Sequence, residues 1–455
     1  MGSCFEHWEE EDLDEAWSRL VNLHLVGSDE RLHTLVREFL TVKLDEMVDC
    51  EEMRSRYAGA IVDLAEQHCQ YVMTLTQLET ADIYIEHWND FVKRQSEETF
   101  GIAIASICMN LMTYYNAQGL YELALEPSER SLKISEQQLG PDHSSTGTSL
   151  NNLALLYCSL GRYAEAKLLY QRALTICENK LGPNHLSTGT TLNNFAELYR
   201  AVGHYKKAEP LYQRALTIYE NQLGLEHPNT GTNLNNLALL YVFMGNYVQA
   251  ESLYQRALAI REKQLGLEHP DTGSSLNNLA VLYNLMGRYV EAEPLYKRSL
   301  AIDEKQLGPD HPDTGTSLNN LADLYRSMSR YTEAELLFKR TLMICENRLI
   351  PDHPDTGISL SNLALLYQSM GRHSEAEPLY QRALSIAELQ LGPDHPSTGN
   401  RLNNLATFYY QLDRFPEAAV MLSRALSICE KSLGHDHPNT QTVRRNLRMI
   451  EERLN

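Results

Sequence analysis

Long apolar runs, closely paired cysteines and an excess of positive charge are all missing from this chain, and each absence removes a class of function. No stretch approaches the roughly 18 apolar residues that a membrane-spanning helix needs. Glu6, Glu9, Glu10, Glu11 and Asp12 stand where a secretory signal would place positive charge ahead of an apolar core. The eight cysteines, Cys4, Cys50, Cys69, Cys108, Cys158, Cys177, Cys345 and Cys429, never form a close C-x-x-C pair. That spacing argues against zinc sites and disulfide frameworks and for reduced, packed thiols. Sixty acidic residues against forty Lys plus Arg give a formal charge of -20. Such a balance repels nucleic acid and anionic membranes, and either favours a neutral or cationic partner or keeps the chain soluble. The expectation is a cytoplasmic protein with no nucleic-acid or membrane partner, no cofactor and no metal.

What the chain has in abundance is repetition. Leu-Asn-Asn-Leu-Ala returns at 150, 234, 276, 318 and 402, near-copies fill the gaps, and the period is 42 residues. A histidine marks the register at His143, His185, His227, His269, His311, His353, His395 and His437. Repeats of this length stack into a solenoid, in which each unit buries its apolar face only against its neighbours. Within one unit, Pro270 suits a first helical turn and Asp271 adds negative charge there. Leu276, Leu279, Ala280 and Tyr283 follow at three- and four-residue spacing, which is one helical face. Gly287 suits a left-handed C-cap. A second helical pattern runs from Tyr289 through Ala292, Leu295, Tyr296, Ser299, Leu300 and Ile302 to about Leu307. Each unit therefore reads as a hairpin of helices A and B. Two alanine columns, one through Ala154 and Ala280, the other through Ala166 and Ala292, face a tyrosine column through Tyr157 and Tyr283. Small against large lets the helices interlock.

This grammar resembles the tetratricopeptide repeat: Leu150, Leu153, Ala154 and Tyr157 match its helix A, and Ala166, Tyr170 and Ala173 its helix B. The 42-residue unit, its Leu-Gly-Pro-Asp-His-Pro connector and its Asn-Asn pair are similar to those of kinesin light chains and bacterial proteins that share their repeat. The resemblance covers about residues 99 to 452. It implies an all-α fold, a right-handed superhelix of eight hairpins over 99–438, closed by a capping helix over 439–455. Hairpins are expected to begin near Thr99, Ser144, Leu186, Pro228, Pro270, Pro312, Pro354 and Pro396, with Pro127 and Met109 marking the first as irregular.

Residues 1–95 do not share the repeat. A mostly helical capping region is the simplest expectation, divided into a segment 1–52 and a helical linker or capping hairpin 53–98. Leu20-Val21-Asn22-Leu23 and Arg31 to Leu40 are similar to the tail of the winged-helix module in bacterial NB-ARC (STAND) signalling ATPases. No G-x-x-x-x-G-K-[ST] loop accompanies it, so that resemblance implies a sensor or regulatory fragment without its nucleotide-binding domain.

A stack of this kind offers a groove, and the resemblance places helix A on its inner wall. The Asn pairs there are the first candidates: Asn151-Asn152, Asn193-Asn194, Asn235-Asn236, Asn277-Asn278, Asn319-Asn320 and Asn403-Asn404, with Asn362 keeping the second place beside Ser361. Asn is a poor helix former, so its recurrence in mid-helix asks for a role. A carboxamide grips a peptide backbone by donating and accepting at once; alternatively it bonds across to the adjacent hairpin and sets the pitch. The resemblance to kinesin light chains favours the second Asn of each pair for the peptide.

Specificity falls to the groove positions that vary. Leu239, Val242, Phe243, Val281 and Leu285 form an apolar middle, flanked by Arg200 with Glu197 and by Arg326 with Asp323, pairs that an i,i+3 spacing lets neutralise one another. No lysine-rich carboxylate clamp is present, so an internal segment of a protein or peptide is the expected ligand, and a monomer or weak homo-oligomer the expected state. Equivalent atoms in successive hairpins lie on the order of 10 Å apart, too far for the histidines to share a metal; they read instead as caps before helix A. No Ser-His-Asp or paired-carboxylate constellation stands out, and an enzyme is not expected.

Overall fold

In the computed structural model, the described residues are 97–454 apart from 351, together with 89, 92 and 93. The chain divides into two compact units, Met1–Ile61 and Val62–Asn455, and all described residues lie in the second. The capping and winged-helix-like expectations for 1–95 fall almost wholly outside the described residues.

Among the described residues the elements are seventeen helices and no strands. They alternate as A and B: α1 (Glu97–Ala117) and α2 (Tyr121–Gln138), α3 (Ser144–Ser159) and α4 (Tyr163–Lys180), α5 (Leu186–Ala201) and α6 (Tyr205–Leu223), α7 (Pro228–Phe243) and α8 (Tyr247–Gln264). Then follow α9 (Pro270–Leu285) and α10 (Tyr289–Gln306), α11 (Pro312–Ser327) and α12 (Tyr331–Arg348), α13 (Pro354–Ser369) and α14 (His373–Gln390), α15 (Pro396–Gln411) and α16 (Phe415–Ser432), and a last A helix, α17 (Pro438–Leu454). The expected hairpin starts hold from Ser144 onward; the first helix begins at Glu97 rather than Thr99. Pro127 does not end α2, which runs on to Gln138.

The histidines explain how each A helix starts. At all eight positions the ring Nδ1 accepts the backbone N–H two residues on, at 3.1 to 3.2 Å, as His227 does from Asn229. One of the four unpartnered N–H groups of the helix is thereby satisfied. The A helix ends at a glycine such as Gly287, whose φ of 74° lies in the left-handed region. Arg288 N–H then returns to the Tyr283 carbonyl at 2.8 Å, and helix B begins.

Both alanine columns are completely buried, 0 % exposed at Ala154, Ala280, Ala166 and Ala292. Leu150, Leu234, Leu276, Leu318, Leu360 and Leu402 are equally closed; each contributes about 2 kcal/mol of apolar burial. Every A helix packs on its own B helix, and every B helix on the next A. Successive A helices also touch, whereas successive B helices stay farther apart, so the stack curves with helix A inside. On the rim, Arg288 lies 4.0 Å over the Tyr283 ring and pairs with Glu251 of the preceding hairpin at 2.9 Å. Arg330, Arg372 and Arg414 repeat the arrangement on Tyr325, Tyr367 and Tyr409.

Candidate functional site

The second Asn of each pair, Asn152, Asn194, Asn236, Asn278, Asn320, Asn362 and Asn404, is half-buried, while the first ranges from buried (Asn151, Asn235) to half-buried (Asn193, Asn277, Asn319, Asn403). A helix turn set between a closed hairpin interface and an open wall produces that difference. At five rungs the second amide donates to the first amide of the preceding hairpin: Asn194 to Asn151 at 3.2 Å, Asn236 to Asn193 at 3.0 Å, Asn320 to Asn277 at 3.0 Å, Asn362 to Asn319 at 2.9 Å and Asn446 to Asn403 at 3.0 Å. The bond to the adjacent hairpin, one of the two alternatives weighed from sequence, is therefore present. It uses one of the two N–H groups of each second amide; Asn194 Oδ1 also accepts from Asn193 at 3.3 Å and Asn152 Oδ1 from Asn151 at 3.1 Å, which leaves one lone pair open on each of those oxygens. At the first hairpin Asn152 meets Met109 Sδ instead, at 3.7 Å.

Two rungs are broken, and each break has a local cause. Arg261 is buried between hairpins and donates to Ser275 Oγ, Thr232 Oγ1 and the Asp271 carbonyl. Asn235 turns its Nδ2 to the same Ser275 Oγ at 3.1 Å, away from Asn278. At the other break Ser361 replaces the first Asn and donates to its own Gly357 carbonyl, so it offers Asn404 no amide. Among the described residues no group bonds the Asn278 or Asn404 side chain.

The variable positions form the rest of the wall. Leu239, Val242 and Val281 are half-buried, and Phe243 and Leu285 are 49 % and 56 % exposed. Leu155 and Leu365, at the same variable place as Leu239 and Val281 one turn after the amides, are also exposed on A helices, and Ile358 is exposed one turn before them, a place periodicity alone did not single out. The flanking pairs do neutralise themselves. Arg326 binds Asp323 at 2.6 Å, and Arg200 pairs with Glu197 while its guanidinium lies 4.9 Å over the Phe243 ring. Burial pushes the Glu197 carboxyl up, but Arg200 and the Tyr212 hydroxyl at 2.6 Å more than reverse this and hold it ionised. The wall thus presents amides and apolar side chains with little unbalanced charge in its middle. Among the described residues no group of three His, Cys, Asp or Glu converges as a metal site, and no helix is long and apolar enough to cross a membrane.

Solved structures similar to the chain include a protein of Podosopora anserina described as a kinesin light chain with nearly identical TPR-like repeats, 29 % identical over 45 % of this chain and 97 % of that one, with a TM-score of 0.38. BtubC (BKLC) from P. vanneervenii is 24 % identical over 51 % of this chain and 91 % of that one, at 0.40. Aspartyl phosphate phosphatase F from Bacillus subtilis is 15 % identical over 77 % and 94 %, at 0.49. No curated protein matches. The family model described as tetratricopeptide repeat matches in overlapping segments, 104–179, 155–221, 205–263, 229–305, 271–347, 317–388, 355–431 and 400–455. With helical hairpins repeated throughout that span, the chain belongs to the tetratricopeptide repeat family.

Proposed function

We propose that this chain is a non-catalytic scaffold that holds a protein or peptide, as an internal segment, along its A-helix wall. The second amides grip the peptide backbone through the carbonyl oxygens and N–H groups that the ladder leaves unspent, and Leu239, Val242, Phe243, Val281 and Leu285 receive apolar side chains. The carrying observation is the row of half-buried second amides, each with hydrogen-bonding capacity beyond its bond to the neighbour. Arg200 and Arg326 frame the apolar stretch; because each is already paired, the ligand's own charge is of minor weight in the middle hairpins. The kinesin-light-chain likeness of the repeat supports a protein partner. A cytoplasmic monomer or weak homo-oligomer completes the reading.

The test is an array of short overlapping peptides probed with the native chain and with Asn236→Ala/Asn278→Ala/Asn320→Ala. Peptides bound by the native chain and lost with the triple variant, at unchanged circular dichroism, are the expected result. An array on which both proteins bind the same peptides equally refutes the amide grip.

A further inference from the structure

The stack touches itself. His395 Nε2 donates to the Ser159 carbonyl at 3.0 Å, and His437 Nε2 to the Ala201 carbonyl at 3.2 Å, each pair 236 residues apart. Both acceptors lie in the last turn of an A helix, α3 and α5, where carbonyls have no partner within the helix. Both donors are cap histidines: because Nδ1 already accepts a backbone N–H, the ring proton sits on Nε2, which faces the earlier turn.

Close approach of the backbone surrounds these bonds. A Cβ added at Gly161 would stand 2.8 Å from Pro396, one at Gly203 2.8 Å from the His437 ring, and one at Gly119 2.6 Å from Pro354. Gly245, Gly287 and Gly371 occupy the same turn with similar φ, yet nothing lies within 4 Å of them. Among the described turn glycines, the tight contacts fall where hairpins one, two and three meet hairpins seven, eight and the last helix. A cavity between the turns, lined by Cys158, Tyr163, Ile358, His395 and Arg401 among others, opens along the same seam.

We propose that these contacts latch the spiral into a closed turn of about six hairpins, so that the inner wall is a passage that takes an extended chain segment from its ends and excludes a folded partner. Six touching helices spaced about 8–10 Å apart enclose a hole about one helix wide, on the order of 10 Å. An extended peptide passes such a hole; an α-helix with side chains, about 10–12 Å across, does not. The inference rests on the reading that the inner wall is the binding surface, but its test needs no ligand and so stands or falls apart from that reading.

The wedge is Gly161→Asn with Gly203→Asn, since Asn tolerates left-handed φ while adding the Cβ that the seam has no room for. Gly287→Asn carries the same backbone cost at a turn with open space and is the control. Small-angle scattering of the full chain should show a larger radius of gyration for the wedge and no change for the control. In a Leu365→Cys background, peptide mapping follows labelling at that inner-wall position. A maleimide on an extended Gly-Ser peptide should label both seams, whereas a maleimide on a folded carrier protein should label only the wedged chain. Equal labelling of the native seam by both carriers, or scattering and labelling that the wedge leaves unchanged, overturns the proposal.

Discussion

His227, Asp303 and Ser329 show how much single side chains decide in a repeated framework. His227 caps α7 through Nδ1 at 3.1 Å, and its replacement by Ala should cost about 1 kcal/mol in urea unfolding, with Ser or Asn restoring most of it. The cap was legible in the sequence, because a histidine held in one register cannot share a metal with copies a helix spacing away. Asp303 was not legible as unusual, because its place varies: Ser135, Cys177, Tyr219, Arg261, Cys345, Ala387 and Cys429 hold it in other hairpins. It is buried beside Ser317, whose hydroxyl it accepts at 2.5 Å, and burial pushes its carboxyl up to about 6. A pKa raised from the ordinary value of about 3.9 means that folding binds a proton, so this site's contribution is full below that value and is lost as pH rises through about 6. Asp303→Asn should therefore raise the melting temperature at neutral pH, and the gain should vanish near pH 4. An Asp303→Asn chain that melts identically to the native one at both pH values would sink that assignment. Ser329 takes a left-handed φ of 59° where most units have Gly; Ser329→Gly should stabilise by up to about 1 kcal/mol in the same unfolding experiment.

At the scale of the element, hairpins were readable because every local signal agreed: apolar spacing, Pro at the first turn, His at the cap and Gly at the stop all returned together. Two things about helix A were not. The amides had two chemically reasonable partners, and spacing alone could not choose between neighbour and ligand. The gaps in the ladder depend on competition: Arg261 draws Ser275, Asn235 follows it, and Asn278 loses its acceptor. Thermal unfolding separates the cases. Asn320→Ala removes the bond to Asn277 and should cost about 1 kcal/mol, whereas Asn278→Ala should be near neutral for stability. Equal losses at the two sites would contradict the ladder as described. Of the exposed apolar residues on A helices, Leu155 and Leu365 stand at the variable place one turn after the amides and are readable from periodicity, whereas Ile358 stands one turn before them, where most hairpins carry Thr or Ser.

At the scale of the whole stack, curvature brings together residues that no local pattern relates. The seam joins positions 236 residues apart, and its glycines look the same in sequence as those facing open space. Its histidines also make it sensitive to acid. Burial pushes the His395 and His437 imidazoles down, partly offset by their bonds to the Ser159 and Ala201 carbonyls, with His204 adding to the depression at His437. Arg401 and Asp355 share the seam cavity with His395. A depressed pKa makes the seam's contribution complete above the ordinary imidazole value of about 6.5 and lost as pH falls through the lower folded values. The radius of gyration should accordingly rise on acidification, and His395→Ala/His437→Ala should show the enlarged value already at neutral pH. A radius that stays constant through that range would contradict the titration.

The most direct measurement is the dissociation constant of the strongest array-selected peptide, titrated into three proteins: the native chain, Asn236→Ala/Asn278→Ala/Asn320→Ala on the inner wall, and Arg298→Ala on the outer face, where Arg298 pairs with Glu262 at 2.7 Å. Binding through the A-helix wall requires the inner variant to weaken about tenfold or more, a loss of about 1.4 kcal/mol, while the outer variant binds as the native chain does. Unchanged affinity in the inner variant, or a loss confined to the outer one, would place the ligand on the other side of the stack.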